Sequence, residues 1–219
     1  QCASGLAAIH MAALGVMTGE WNVVLAGGAE SASLQPRRIY PENDERSHLR
    51  NPEFTAAQFI PGEYGDDAML LGAERAAKKA NISRQEADEA ALLSQERAKE
   101  VQEKGLLHDV ILPLYGSTRD EAIRKRMSEK LLARAPRVTD FPEGILTAAN
   151  TCTINDGAAF VAVASEKWVR AHGLVPLAEI TGLRLYAGDP QVPPLSADEA
   201  VSALLKEKGL SYTDVDAFE

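Results

Sequence analysis

Between residues 4 and 19 the apolar side chains Leu6, Ile9, Ala13, Leu14 and Met17 recur at helical spacing, and Ala7, Ala8, Ala12 and Gly15 keep the opposite side small. The pattern predicts a helix that is apolar nearly all round, and such a helix is a buried one. Residues 22–26 form a short apolar run ending in Gly27-Gly28, which predicts a central strand leading into a tight turn. From 33 to 67 the period disappears and Pro36, Pro41, Pro52 and Pro61 punctuate a polar stretch, so a long loop is expected. Loops of that length are usually functional or interface-forming.

Residues 69–80 read as a helix, and Ser83-Arg84-Gln85-Glu86 is a capping box that opens a second one, ended by Gly105. Residues 109–114 are a strand candidate. Charges crowd 119–137, where Thr118-Arg119-Asp120-Glu121 offers another capping box and the plain reading is a solvated helix face. Residues 158–164 read as a buried strand and 165–172 as a short helix closed by Gly173. Residues 176–186 alternate like a strand, Ser196-Ala197-Asp198-Glu199 caps a helix running to Gly209, and 214–219 resemble a strand just starting. An α/β layer at each end thus encloses a charged, helical insertion of roughly 110 residues.

Composition narrows the function classes. With 32 acidic against 23 basic residues and a formal charge of −9, the chain argues against a nucleic-acid surface and carries no polybasic membrane stretch. No apolar run approaches the ~18–20 residues that span a bilayer. Two cysteines, Cys2 and Cys152, are too few for a disulfide framework, so a reducing, cytoplasmic setting is expected. The sequence starts at Gln1-Cys2 with neither an initiator Met nor a leading strand, and reads as an internal segment of a longer chain.

Three stretches carry candidate chemistry. Cys2 stands just before the first helix, where aligned amide dipoles and unpaired N–H groups stabilise a thiolate; a small buried hydrophobe is the alternative. His10 lies eight residues along the same helix, about 12 Å away at 1.5 Å per residue, too far to serve as its base. His48, His108 and His172 fall in loops or helix ends. The second stretch is Gly27-Gly28-Ala29-Glu30-Ser31, a close-approach segment or simply a packed turn. The third, residues 150–159, is a polar turn whose Asn155-Asp156-Gly157 satisfies its own backbone before a buried strand begins. No GxGxxG, Walker-type, HExxH or CxxC pattern occurs, so dinucleotide, phosphate-loop and zinc readings lack support and no metal ligands are assigned.

Taken together and in this order, the three stretches resemble the thiolase family of acetyl-CoA acetyltransferases. Gln1-Cys2-Ala3-Ser4-Gly5-Leu6 is similar to its nucleophile segment C-x-S-G-L, residues 27–31 to G-G-x-E-S, and residues 147–159 to T-A-x-N…N-D-G-A-A. The similarity continues through residues 83–88 and 120–124. Related ketoacyl synthases share the fold, but the second and third stretches favour thiolase. The resemblance implies an α/β fold of five αβαβα layers, incomplete at both ends, with an inserted helical loop domain. On that map 1–33 ends the N-terminal half, 34–146 is the loop domain, 147–164 supplies the last strand of that half, and 165–219 begins the C-terminal half.

The resemblance further implies an acyl-CoA C-acyltransferase. Cys2 takes up an acyl group from a CoA thioester, and a Claisen condensation with acetyl-CoA follows, or thiolysis of a 3-ketoacyl-CoA in reverse. Met69 falls beside the family's acyl and pantetheine pocket, Ala148 and Cys152 at pantetheine-lining positions, and Arg124 at a basic contact to the nucleotide end of CoA. CoA thioesters are then substrates rather than permanently bound cofactors, and a homodimer or homotetramer is expected, with neither nucleic acid nor membrane as partner.

Some positions depart from the family pattern. Leu70 replaces the Gly after Met69, Ala68 the His before it, Ala32 a Met, and Cys152 the Ser of N-A-S-G, which weakens a hydrogen-bond donor. If Cys152 lines the channel that ends at Cys2, the two thiols are candidates for a disulfide. The family motifs that hold the catalytic water, the oxyanion-hole His and the acid/base Cys would lie beyond Glu219. The 219 residues alone are therefore expected to be inactive, and a catalytically silent scaffold acting through its loop domain is the alternative reading.

Overall fold

The computed structural model describes residues 2–36, 38–48, 53–54 and 68–218. In chain order the described elements are α1 (Ser4–Met17), β1 (Val23–Glu30), β2 (Arg38–Ile39), β3 (Glu53–Phe54), α2 (Ala68–Lys79), α3 (Arg84–Glu103), α4 (Glu129–Arg134), β4 (Gly157–Ala164), α5 (Glu166–Ala171) and α6 (Leu195–Lys208). Most of the loop expected over 33–67, its sequence beyond the short pair of β2 and β3 included, lies outside the described residues. The chain divides into two compact units. The first comprises Gln1–Pro36, Ile154–Tyr186 and Asp198–Glu219, and the second Arg37–Thr153 and Ala187–Ala197.

In the first unit β1 and β4 pair antiparallel from Val23↔Ala164 to Glu30↔Gly157. Side chains alternate across the ribbon, so α1 covers one face only. There Ala12 and Ala13 pack on Ala26 and Val163, with Ile9, Val16, Val24 and Leu183 around them. The small residues of α1 bring helix and ribbon close. The expectation of a fully buried helix and two buried strands is corrected: Met17 of α1 is 76% exposed, and Leu25 and Phe160, on the uncovered ribbon face, are 73% and 61% exposed. Period and hydropathy report what a segment is fit to bury, and the described residues provide no second layer here.

The expected turn at Gly27-Gly28 is also corrected, because both glycines lie inside β1. Gly27 answers to close packing: a Cβ there would stand 2.1 Å from the Ala159 carbonyl oxygen and 2.7 Å from Phe160 Cα. The far end of the ribbon is tied by Asp156, whose carboxylate accepts from the Ser33 backbone N–H at 2.8 Å and from the Ser33 hydroxyl.

In the second unit the Ser83 capping box forms as expected. Glu86 N–H donates to Ser83 Oγ at 3.2 Å, and Ser83 N–H donates to the Glu86 carboxylate at 2.8 Å. Gly105 follows α3 with φ +66°, and Asn81 follows α2 with φ +55°, the left-handed positions that end helices. The capping box expected at 118–121 opens no helix. Arg124 N–H, which a helix would direct to residue 120, donates instead to Gln95 Oε1 at 2.8 Å, and the next helix waits for Ser128, which caps α4.

Three expected strands are absent. Residues 109–114 form turns, with Ile111 N–H bonded to the Leu107 carbonyl at 2.9 Å and only an isolated bridge from Leu114 to Ser117. Residues 176–186 are irregular, and 214–218 follow a single 3-10 turn at Tyr212–Asp214. A strand requires a neighbour to complete its ladder, and among the described residues no strand pairs with these. Finally, α6 starts at Leu195, which places the Ser196 capping box within its first turn.

Candidate functional site

Cys2 sits in the turn before α1, exposed and free. Ala3 occupies the N-cap and offers no side-chain acceptor to the first-turn amides, and its carbonyl takes Ala7 N–H at 2.8 Å to start the helix. The thiol therefore stands at the positive end of a 14-residue helix whose opening is not blocked by a capping side chain. Among the described residues its side chain is exposed rather than buried. His10 is half-buried farther along α1, whereas His48, His108 and His172 are exposed.

The second unit holds an open groove of about 600 Å³ lined by Arg124, Ser128, Lys130, Leu131, Arg134, Ala135, Pro136, Ala148 and Ala149. Two of the sequence-predicted positions, Arg124 and Ala148, meet here. Arg124 donates from one guanidinium nitrogen to the Ala148 carbonyl at 2.9 Å and from another to the Ala149 carbonyl at 3.2 Å. Met69, half-buried on α2, and Cys152, an exposed free thiol, do not line the groove. Among the described residues, no group of three or more His, Cys, Asp or Glu side chains is placed to hold a metal ion.

The segment that carries Ala148 and Ala149 is fixed by residues to which the sequence had assigned no role. Glu74 of α2, 2% exposed, accepts from Thr139 Oγ1 at 2.8 Å, Ile145 N–H at 2.8 Å and Leu146 N–H at 3.1 Å. Asn150 takes Thr147 N–H at 2.7 Å and donates to both Asp88 Oδ1 and the Ile145 carbonyl at 2.9 Å. Asp88 also pairs with Arg84 at 2.7 Å, and Arg84 reaches the Leu132 carbonyl beneath the groove. The polar groups of this buried turn are thus largely matched, which makes one backbone conformation strongly preferred. The signal for Glu74 was an acid within Leu70-Leu71-Gly72-Ala73-Glu74-Arg75-Ala76-Ala77; for Asn150 it was the T-A-x-N stretch itself.

In the first unit, the Ser33 hydrogen bonds hold the Asp156 carboxyl below its ordinary range. The residues 27–31 and 155–159, about 125 positions apart in sequence, thus lie side by side at one end of the paired ribbon.

Residues 1–167 match the family model described as Thiolase, N-terminal domain, and the chain belongs to the thiolase family. Particular relatives fill in the class. An acetyl-CoA acetyltransferase of Chromobacterium violaceum is 34% identical over 230 residues, with all of this chain aligned to 58% of the relative. The structure of human mitochondrial 3-ketoacyl-CoA thiolase in complex with CoA matches with a TM-score of 0.83 and 31% identity, over 98% of this chain and 56% of that one. Acetyl-CoA acetyltransferase from Syntrophomonas wolfei matches with a TM-score of 0.77 and 28% identity, over 98% and 56%. The fold is therefore the α/β thiolase fold, and the chain spans 56–58% of the length of two curated relatives it matches. No described helix is long and apolar enough to cross a membrane.

Proposed function

We propose that the enzyme containing this segment is an acyl-CoA C-acyltransferase whose nucleophile is Cys2. Once a base has taken the thiol proton, the thiolate of Cys2 attacks the thioester carbonyl of an acyl-CoA; a new carbon–sulfur bond forms, the bond to the CoA sulfur breaks, and the departing CoA thiolate takes the proton back from that base. The α-carbon of acetyl-CoA, once deprotonated, then attacks the acyl carbon and expels the Cys2 sulfur. Thiolysis of a 3-ketoacyl-CoA is the same path reversed. Met69, Ala148 and Cys152 line the pantetheine path in this reading, with residues 34–146 as the loop domain between the parts of the N-terminal half and 165–219 opening the C-terminal half. A cytoplasmic homodimer or homotetramer completes it.

The observation that carries the proposal is an exposed, free thiol directly before the uncapped start of α1, in a chain of this family. A dipole at a helix start favours the charged sulfur, and exposure leaves it open to attack a substrate. The groove with its basic rim supports the choice of a phosphorylated thiol carrier. The general base and the enolate-stabilising donor are assigned to residues outside these 219, so the 219-residue chain by itself does not turn over acetoacetyl-CoA; thiolysis by the purified chain alone would contradict this. In the full-length enzyme, Cys2→Ser should lower thiolysis of acetoacetyl-CoA by about a thousandfold or more. Activity within a fewfold of wild type would reject Cys2 as the nucleophile.

A further inference from the structure

The polar turn before β4 holds a chemically labile linkage that the proposed reaction does not use. Asp156-Gly157 is the only Asp-Gly pair in the 219 residues, and Asn-Gly does not occur. In such a pair no side chain hinders the glycine nitrogen as it approaches the aspartate carboxyl. The Gly157 nitrogen attacks Asp156 Cγ, a carbon–nitrogen bond forms, the bond from Cγ to the hydroxyl breaks, and water leaves with the amide proton. Water then reopens the succinimide ring at either carbonyl. One opening restores aspartate, and the other gives isoaspartate, whose main chain runs through Cγ. The local structure leaves the pair open to this chemistry. Both residues are exposed, and Asp156 lies in irregular backbone directly before β4. Neither packing nor φ requires a glycine at 157, where an added Cβ would meet no atom within 4 Å.

Ser33, in the single 3-10 turn Ala32–Leu34, opposes the reaction. Its backbone N–H donates to one Asp156 oxygen at 2.8 Å and its hydroxyl to the other, so a residue 123 positions away holds both carboxylate oxygens. Two bonds to one residue fix the carboxylate's orientation and take away the rotations by which a free side chain reaches the following nitrogen. We infer that Asp156-Gly157 is a site of succinimide formation and that the Ser33 tie is the device that suppresses it. The same bonds hold the carboxyl below its ordinary range and so keep it ionised, and an ionised carboxylate resists the attack because it has no hydroxyl to lose. The ribbon is what the tie protects. Gly157 opens β4 opposite Glu30, and isoaspartate at 156 would lengthen the main chain by one carbon at that entry and convert the carboxylate held by Ser33 into a main-chain amide.

The test is to age the full-length enzyme at physiological temperature and neutral pH and to follow isoaspartate at position 156. Peptide mapping with electron-transfer fragmentation separates it from aspartate of equal mass. Ser33→Ala removes the hydroxyl donor and should raise the rate about fivefold over wild type, the worth of one exposed hydrogen bond to a charged group. Ser33→Thr keeps both donors and should age as wild type does. Ser33→Ala/Gly157→Ala puts a methyl group beside the attacking nitrogen, where there is room for it, and should bring the rate back to that of wild type or below. In urea, wild type and Ser33→Ala should form isoaspartate equally fast, and faster than either does when folded. Equal folded rates in wild type and Ser33→Ala overturn the inference, as does Ser33→Thr ageing as fast as Ser33→Ala. A Ser33→Ala rate that is the same folded and in urea also overturns it, because unfolding and not the lost tie would then account for the gain. So does a fast rate that survives Gly157→Ala, since the reaction would not run through that nitrogen.

Discussion

In the first unit α1 rests on the β1–β4 ribbon through Ala12, Ala13, Ala26 and Val163, all small or medium apolar residues. In the second, the residues shielded to within 2% of full burial are Leu132, Glu74 and Thr147, two of them polar. The first unit joins its parts by close apolar approach, and its ribbon leaves Leu25 and Phe160 uncovered. The second holds a polar turn by matching its donors and acceptors to Glu74, Asn150 and Arg124. Apolar contact is forgiving of small shifts, whereas a satisfied polar turn admits few alternatives. The difference teaches that the groove is the better defined of the two candidate surfaces, because apolar contact sets the position of α1 on its ribbon.

The largest expected effect comes from cutting the polar turn at its centre. Glu74→Ala strands the Thr139 hydroxyl and the Ile145 and Leu146 amides, at a cost of about 3 kcal/mol in urea unfolding. Hydrogen exchange should speed up at Ile145 and Leu146 and stay unchanged in β1 and β4; a uniform increase would deny that the two regions are held separately. Gly27→Ala is the converse probe. Its Cβ meets the Ala159 carbonyl, so the ribbon must part, costing about 2 kcal/mol with faster exchange confined to β1 and β4. Full stability in that variant would show that the close approach is not required.

The smallest effect concerns Asp156. Its carboxyl is held below the ordinary range by Ser33, so the tie adds stability above the unfolded-state value and loses it as pH falls through the lowered folded value. Asp156→Asn should flatten that acid limb of the stability profile by giving up the increment at neutral pH and matching the wild type at low pH, the increment being small because the group is exposed and screened by solvent. An unchanged acid limb would show that the Ser33–Asp156 tie contributes nothing to the fold.

What the sequence disclosed follows from how local each signal is. Ser83 with Glu86, Gly105 and Ser165 marked helix ends because a cap is made by residues within one turn. The strands at 109–114 and 176–186 were misread because alternation describes a surface, and a strand also needs a partner that alternation does not reveal. Arg124 and Ala148, named from the family resemblance, meet in the groove, and Cys2, named from its place before the first helix, stands exposed at that place. Glu74, Asp88, Lys130 and Arg134 were given no role, since hydrogen bonds spanning 62–72 residues and the lining of a groove leave no local trace.

The central claim concerns one sulfur. The full-length enzyme should be mixed with acetyl-CoA, quenched in acid and digested, and the peptide containing Cys2 weighed by mass spectrometry. The account predicts an acetyl group on Cys2, absent from the Cys2→Ser variant. An acetylated peptide that lacks Cys2, or turnover with Cys2 unmodified throughout, would contradict it.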